Sequence, residues 1–223
     1  MLLDNPVYAS LSGPHAGIAQ ARGRALRYPA DVAPFIALPS RPAGNDWRDA
    51  IALMGPGTRA ATLRVPSRLP DGLTVINSFE VVQMVSEKTA GADDPEALRL
   101  GPDDVPEMAA LVRQTNPGPF LSRTVELGDY YGIRRDGRLV AMAGERLHAE
   151  GWTEISAVCT VPDHRGQGIA SRLVQAVIKG IERRRERPFL HTGTTNTAAI
   201  NLYDALGFSV RRCLTISVIS PHQ

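Results

Sequence analysis

Cysteine is scarce in this sequence, which has only Cys159 and Cys213 among its 223 residues. Neither cysteine lies in a CxxC or CxxxH pattern, so the sequence predicts neither a metal site nor a disulfide scaffold. Two cysteines in a core of ordinary size fit a reducing compartment, and no basic segment followed by an apolar one marks a signal peptide. We therefore expect a soluble, cytoplasmic protein without a bound metal.

Long apolar runs and an excess of one charge are also missing. No stretch approaches the roughly 18 consecutive apolar residues that a membrane-spanning helix requires. The 25 basic residues nearly balance the 23 acidic ones, and the net charge is +2. The composition therefore favours neither nucleic acid nor a membrane as a partner, and we expect a monomer or a homodimer.

The first third of the sequence carries secondary-structure signals but no recognisable catalytic motif. Trp47–Met54 has the apolar spacing of a helix, whereas Ala60–Val65 and Leu73–Val85 are rich in strand-forming residues. A polar segment from Glu87 to Asp94 follows them. This change of composition marks the most suitable place for a domain boundary.

The boundary separates an N-terminal α/β extension at 1–92 from a catalytic domain at 93–223. Apolar periodicity in the second part predicts an α/β fold with a mixed sheet that begins as an antiparallel meander. Asp136-Gly137 between two apolar runs is a strong hairpin signal within that meander. The predicted strands are 97–100, 130–133, 139–147, 152–161, 188–192 and 210–219, of which the last closes the sheet; the predicted helices are 105 to about 116, 168–184 and 196–206.

The clearest chemical signal is the segment Arg165-Gly166-Gln167-Gly168-Ile169-Ala170, which lies between a predicted strand and a predicted helix. Its glycines allow a tight turn and leave backbone N–H groups uncovered, and the following helix adds unpaired N–H groups and the positive end of its dipole. Such a turn suits a pyrophosphate. The segment lacks the Gly-Lys-Ser/Thr ending of a Walker A loop, and Arg165 replaces the first glycine of a dinucleotide fingerprint. A plain strand-to-helix turn is the alternative for this motif alone.

Two separate motifs together resemble the GNAT superfamily of N-acetyltransferases, over about residues 96–215. Arg165–Ala170 is similar to its Arg/Gln-x-x-Gly-x-Gly/Ala loop, and Val158–Pro162 is similar to its Leu-x-Val-x-Pro strand end. Asn196–Phe208 resembles its Asn-x-x-Ala-x-x-x-Tyr-x-x-x-Gly-Phe ending. The resemblance implies an acyl-CoA N-acyltransferase fold. The extra N-terminal segment resembles the glycine N-acyltransferase-like branch, where a degenerate acetyltransferase-like half precedes the active one.

The resemblance also implies that acetyl-CoA binds in a cleft beside a splayed strand. Backbone groups of Val158 and Thr160 would pair with the pantetheine arm, like a strand added to an open sheet. Asn196 would contact the same arm, although its residue type suits a helix N-cap equally well. The pyrophosphate would be held by backbone amides of Arg165, Gly166, Gln167, Gly168, Ile169 and Ala170.

Tyr203 and Glu154 are the implied catalytic residues. Tyr203 matches the tyrosine that faces the thioester sulfur in this superfamily and would protonate the leaving thiolate, with a packed helix tyrosine as the alternative. Glu154, six residues before Thr160, matches the base glutamate of the histone-acetylating members. Its apolar neighbours suggest a raised pKa, which suits a base. The rival bases are Glu145, His148, His191 and water.

These roles predict direct attack of a primary amine on the thioester, without an acyl-enzyme, through an intermediate that a backbone amide near Val158 stabilises. The amine belongs to a small molecule, an amino acid or a protein, and its pocket is expected at 115–125 and 146–152 together with the segment 1–92. A non-catalytic module that senses acyl-CoA is the alternative function, and a dinucleotide-dependent oxidoreductase is a more remote one. Cys159 is expected in the core, and the arginine-rich segment 183–187 is expected to be a solvated helix end, with the 3′-phosphate of CoA as its alternative partner.

Overall fold

The computed structural model describes residues 2–63, 65, 70–86, 88 and 90–222 of the chain. Arg64, within the predicted strand 60–65, and Glu87 and Thr89, within the predicted boundary segment, lie outside the described residues. The helices are α1 (Pro6–Leu11), α2 (Gly44–Met54), α3 (Val105–Thr115), α4 (Ile169–Arg183) and α5 (Thr197–Ala205). The strands are β1 (Gln20–Arg22), β2 (Ala25–Arg27), β3 (Ile36–Ala37), β4 (Ala60–Thr62), β5 (Leu73–Val85), β6 (Leu98–Leu100), β7 (Tyr130–Arg135), β8 (Arg138–Ala149), β9 (Trp152–Thr160), β10 (Arg187–Gly193) and β11 (Ser209–Pro221).

Eight strands form one mixed sheet in the order β4-β11-β5-β10-β9-β8-β7-β6. The meander β7-β8-β9 is antiparallel, as predicted. Its first turn has positive φ at both Asp136 (49°) and Gly137 (77°), which a two-residue type I′ hairpin requires. β9 and β10 pair in parallel, whereas β10 and β5 pair antiparallel. These pairings confirm the predicted α/β class with a mixed sheet.

The predicted boundary at 92/93 does not divide this sheet. β5 belongs to the segment 1–92, yet it lies between β10 and β11 and pairs with both of them. β4, from the same segment, pairs with the other side of β11. The expectation that the strand 210–219 closes the sheet is therefore wrong, because β4 lies outside it. Sequence periodicity identifies a strand but carries no information about which neighbour will satisfy its hydrogen bonds.

The later part of the boundary segment, residues 90–94, is packed along α4. The backbone N–H of Gly91 donates to the Glu182 carboxylate at 3.1 Å, and that of Ala92 donates to the Gln175 carbonyl at 3.2 Å. A Cβ on Gly91 would lie 2.2 Å from the backbone nitrogen of Lys179, so the close approach requires glycine. Gly91 and Ala92 are therefore fixed to the helix layer, although the polar composition predicted a domain boundary here.

The two faces of the sheet are covered by different parts of the chain. On one face, Leu173, Val177 and Ile181 of α4 are fully buried, at the four-residue spacing that predicted this helix. On the other face, the N-terminal residues, including α1, pack against Trp152 and Phe189 of the sheet. The sequence analysis missed α1 and the small sheet β1-β2-β3. These elements are too short to show a clear periodicity.

β9 and β10 separate partway along their length. Their parallel pairing covers four register pairs, from Trp152–Arg187 to Ile155–Leu190, while β9 continues to Thr160 and β10 to Gly193. Just beyond the last pair, β9 contains one extra residue relative to β8, and Ala157 has a φ of 54°. Such a bulge bends a strand and ends regular pairing. The sheet therefore opens into a gap beside β9, which confirms the predicted splay.

Candidate active site

Two cavities meet at the gap between β9 and β10. The first, which we call the loop cleft, has a volume of about 390 Å³ and is lined by Thr160, Arg165, Ala170, Leu202 and Tyr203, among others. The second, which we call the arginine cavity, has a volume of about 560 Å³ and is lined by residues that include Phe35, Arg59, Arg146, His191 and Tyr203. Val158, Asn196, Ala199 and Tyr203 line both cavities. A molecule in the cleft can therefore meet a molecule in the cavity at the gap.

The glycine turn, formed by residues 166–168, leads into the loop cleft, and its backbone N–H groups have no acceptor in the described part of the chain. Gly166 and Gly168 have φ values of 74° and 73°, in the left-handed region that favours glycine. A Cβ at either position would meet nothing within 4 Å, so the turn faces open space. In the described part of the chain, no acceptor receives the backbone N–H groups of residues 166–170. These N–H groups precede and begin α4, where the helix dipole favours an anion. The prediction is wrong for Arg165, whose backbone N–H donates to the Pro162 carbonyl at 3.1 Å and is not free for a ligand.

The exposed edge of β9 provides the second part of the cleft. The Val161 N–H donates to the Val140 carbonyl on the β8 side at 2.9 Å. Because backbone groups alternate in direction along a strand, those of Val158 and Thr160 point away from β8, into the gap. The Arg165 Nε donates to the Thr160 carbonyl at 3.1 Å, which holds the turn against the strand. The buried Thr160 Oγ1 has no hydrogen-bond partner within the described chain, as expected of a group that awaits a ligand.

Tyr203 lies where the two cavities join. It projects from α5 and is 7% exposed, with its ring 6.0 Å from that of Phe208 in an edge-on contact. No described residue forms a hydrogen bond with its hydroxyl group. Burial raises the pKa of Tyr203 to about 12, with a smaller contribution from Cys159. The hydroxyl is therefore protonated at neutral pH and free to donate to a molecule at the gap.

Asn196 is the N-cap of α5, which was the alternative to its predicted role in binding the pantetheine arm. Its Oδ1 accepts a hydrogen bond from the Ala199 N–H at 3.2 Å and so caps α5. The residue also lines both cavities, and its side-chain amide nitrogen has no partner in the described part of the chain. The cap thus fixes the start of the helix that carries Tyr203 and holds Asn196 at the gap.

Glu154 does not have the environment that a base requires. Its carboxylate is fully buried and receives two hydrogen bonds from Arg146, at 2.8 Å each, and one from His191 Nδ1 at 2.6 Å. Burial alone would raise the pKa of Glu154, but the charge and hydrogen bonds of Arg146, together with His191, lower it to about 2. The prediction of a raised pKa is therefore wrong. Glu154 does not line either cavity, and so it has no direct access to an amine.

The rival carboxylate Glu145 and the rival imidazole His148 lie away from both cavities. Glu145 is 1% exposed, and its Oε1 accepts a hydrogen bond from Arg184 at 2.6 Å. His148 Nδ1 lies 3.2 Å from the Thr153 hydroxyl, and its ring packs 4.9 Å from that of His15. Neither residue lines the loop cleft or the arginine cavity. Glu145 therefore holds the end of α4 against the sheet, whereas His148 packs between the sheet and the N-terminal segment.

His191 is the rival base that does reach the arginine cavity. Gln83 donates from its amide nitrogen to the His191 Nε2 at 3.0 Å and to the Leu3 carbonyl at 2.9 Å. The amide is held in this orientation because its oxygen accepts from Arg211 at 2.7 Å. His191 must then carry its proton on Nδ1, which faces Glu154, and its lone pair on Nε2.

Cys159 and the arginine-rich segment 183–187 have structural roles. Cys159 is 7% exposed, and burial raises the pKa of its thiol to about 11 despite hydrogen bonds that lower it, so the thiol is not an activated nucleophile. Arg184 pairs with Glu145, and Arg187 lies 4.0 Å above the Trp152 ring. The segment follows the 15 residues of α4, about 22 Å from the glycine turn. A contact from it to the same ligand as the turn is not supported.

Sequence reasoning missed several residues that line the arginine cavity. Asn116, Pro117 and Arg146 come from the two predicted pocket loops, but Phe35 and Arg59 come from the N-terminal segment, where no motif marked them. Arg146 meets Glu154 because β8 carries an irregularity in register between Glu145 and His148. No local pattern in the sequence announces such a register shift.

The arrangement can hold an extended anionic molecule in the loop cleft and a second molecule in the arginine cavity. Within residues 2–222, the described part holds no group of three or more His, Cys, Asp or Glu residues close enough to bind a metal. No described helix has the length and hydropathy to cross a bilayer. The groups that border the gap include backbone amides, the Tyr203 hydroxyl and the His191 imidazole.

Comparison with known proteins agrees with this geometry. Residues 130–215 match the family model described as FR47-like protein. Over the full length of both chains, the structure is similar to a crystal structure from Novosphingobium aromaticivorans that carries a GNAT-family acetyltransferase assignment, with 38% sequence identity and a TM-score of 0.91. Comparison with curated protein sequences finds no significant match.

More distant solved structures share the fold. A GCN5-related N-acetyltransferase from Kribbella flavida is 17% identical, with a TM-score of 0.61 over 96% of this chain and 95% of that one. A protein of unknown function from Staphylococcus epidermidis is 11% identical, with a TM-score of 0.56 over 92% of this chain and 93% of that one. Both likenesses extend across the N-terminal segment, so that segment is part of a recurrent fold. The glycine N-acyltransferase-like branch is not singled out by these comparisons.

Proposed function

Because this chain belongs to the GNAT superfamily of N-acetyltransferases, we propose that it transfers an acetyl group from acetyl-CoA to the primary amine of a small molecule. The observation that carries this proposal is the junction of the two cavities at Tyr203. One cavity offers unpaired amides and a strand edge, which suit a pyrophosphate and a pantetheine arm. The other cavity offers room for an acceptor on the far side of the gap.

In this proposal the two substrates react directly, without an acyl-enzyme. The pyrophosphate of acetyl-CoA lies on the amides of residues 166–170, and the pantetheine arm runs along Val158 and Thr160. The amine nitrogen attacks the thioester carbonyl, and a backbone amide at Val158 stabilises the oxyanion. Collapse of the intermediate breaks the carbon–sulfur bond. Tyr203 donates a hydrogen bond to the departing sulfur and delivers its proton to the thiolate.

We assign the removal of the amine proton to His191. This residue lines the arginine cavity, and Glu154 fixes its Nδ1–H so that Nε2 keeps the lone pair. The amine displaces the Gln83 N–H that donates to this nitrogen in the free protein. Glu154 is therefore a positioning residue, and it stays ionised while the imidazole accepts the proton.

We expect His191→Gln to lower kcat at neutral pH roughly tenfold, a modest loss because water can also take the proton. Gln keeps a polar side chain at this position but offers no nitrogen that can accept the amine proton. The measurement is kcat at neutral pH with saturating acetyl-CoA and amine. A variant that keeps the wild-type kcat would assign the proton to water.

The glycine turn provides the test of acetyl-CoA binding. We expect Gly168→Ala to weaken CoA binding about tenfold, because the methyl group enters the open space in front of the amides and strains a left-handed residue by about 1–2 kcal/mol. Gly151→Ala is the matched control, since Gly151 has a φ of 72° and equally open surroundings, in the turn between β8 and β9. Calorimetric titration with CoA measures both affinities.

The two variants should lose similar stability, and only Gly168→Ala should lose affinity for CoA. Equal CoA affinity in both variants, or no binding by the wild type, would contradict the placement of the pyrophosphate. Tight CoA binding by the wild type without turnover of any amine would instead support the acyl-CoA-sensing module.

A further inference from the structure

The lining of the arginine cavity is cationic. Arg59 and Arg146 belong to it, and its described lining residues include no Asp, Glu or Lys. Glu154 lies beneath Arg146 and is completely shielded from solvent, so it neutralises that arginine without offering a carboxylate to the cavity. An acceptor with a second positive charge would find no ionic partner here.

Both arginines have N–H donors that no described residue accepts. Arg146 uses Nε and Nη2 to hold Glu154, while its Nη1 has no hydrogen-bond partner in the described structure. The guanidinium is also fixed above the Phe35 ring, 5.1 Å from its centroid, so that its orientation is set before a ligand arrives. Arg59 is exposed, and no described residue forms an ion pair or a side-chain hydrogen bond with it. One donor that is held in place and one donor that is exposed therefore face the same space.

We propose that the acceptor is a small amino carboxylate with an apolar body, an inference that rests on the proposed function. The carboxylate accepts hydrogen bonds from Arg59 and from Nη1 of Arg146, since a guanidinium fork matches two carboxylate oxygens. The amine points to the gap at Val158. The apolar body contacts Phe35 and Phe79, which also line the cavity.

Three amines with the same isobutyl side chain test the proposal: L-leucine, L-leucinamide and 3-methylbutylamine, of which only leucine carries a carboxylate. We expect kcat/KM for leucine to exceed that for each of the others by about 30-fold, as a charge-assisted contact of about 2 kcal/mol implies. The amide lowers the pKa of the neighbouring amine and so increases the fraction of free amine. A preference for leucine over leucinamide therefore cannot arise from amine protonation.

Arg59→Gln tests the assigned contact. It should reduce the preference for leucine about tenfold, through KM and not through kcat, because it removes one charged donor to the ground state. Arg41→Gln is the matched control, since Arg41 is an exposed cation of the N-terminal segment outside the cavity lining. Equal or better use of leucinamide or 3-methylbutylamine by the wild type would overturn the proposal and leave the acetyltransferase function intact.

A carboxylate that lacks an amine tests the carboxylate site separately from acetyl transfer. 4-Methylpentanoate should bind the wild type in the presence of CoA and should bind Arg59→Gln about tenfold more weakly. If no amine releases CoA from acetyl-CoA, the proposed function fails. Calorimetric titration with 4-methylpentanoate then still shows whether the cavity binds a carboxylate. Absence of 4-methylpentanoate binding to the wild type would overturn the inference.

Discussion

Tyr203→Phe should lower kcat for acetyl transfer about 10²-fold and leave KM for acetyl-CoA nearly unchanged. The phenol is placed at the junction of the two cavities, where the thioester sulfur would lie in the proposed mechanism. Its pKa of about 12 exceeds the value of about 8.5 for an ordinary thiol. Much of its effect should therefore come from a hydrogen bond that strengthens as the sulfur becomes anionic. Steady-state kinetics with acetyl-CoA and a reactive amine measures the change.

Tyr130→Phe is the matched control for this variant. Tyr130 is 1% exposed, its hydroxyl has no hydrogen-bond partner in the described structure, and it lines neither cavity. Burial raises its pKa as well. The control should keep wild-type kcat, because it removes a buried tyrosine hydroxyl that lines neither cavity. Equal losses in both variants would show that Tyr203 acts through packing, and full activity of Tyr203→Phe would exclude it as the acid.

Glu154→Gln should destabilise the fold by about 3–5 kcal/mol, because it leaves the buried guanidinium of Arg146 without a counter-ion. Arg146 is only 14% exposed at its side chain, so water can replace the lost carboxylate only in part. Denaturant unfolding of the variant and the wild type at neutral pH gives the difference. A loss below about 1 kcal/mol, typical of a solvated pair, would contradict this account.

The double variant Arg146→Met/Glu154→Leu is the control for this prediction. Replacing a whole buried ion pair by apolar groups is often neutral, so the double variant should recover most of the stability that Glu154→Gln loses. It should also lose the preference for an amino carboxylate, since Arg146 is gone. A double variant as unstable as Glu154→Gln would show that the packing of these side chains dominates.

The ion pair of Arg146 and Glu154 makes the free energy of unfolding depend on pH. The direction of this dependence follows from the lowered pKa of Glu154. The pKa of Glu154 is lowered in the folded state from 4.5 to about 2. Its contribution is therefore complete above pH 4.5 and is lost as pH falls from there towards 2. Glu154→Gln should remove this part of the acid-induced loss.

Much of the fold could be predicted because its signals are local. The strand at Leu73–Val85 was predicted with the bounds that the structure has, and Asp136-Gly137 forms the expected hairpin turn. The glycine turn and α4 also lie where the sequence places them. In each case a backbone preference or an apolar periodicity over a few residues is enough to fix the element.

Contacts between distant segments could not be predicted in the same way. Glu154 has apolar neighbours in sequence, which suggested a raised pKa, but Arg146 reaches it across an irregular register of β8 and reverses the shift. His191 appeared as a minor candidate because the sequence does not reveal that Glu154 and Gln83 hold its two ring nitrogens.

The sequence by itself determined the helices and strands from residue 44 onwards, the glycine turn and the superfamily to which the protein belongs. Only the tertiary structure placed β5 inside the sheet and brought Arg59 and Phe35 to the cavity beside Arg146. The physical reason is the distance along the sequence over which each feature is determined. Backbone conformation and periodicity are decided within a few residues, whereas the pairing of strands and the environment of a buried charge are decided by whichever distant groups satisfy them.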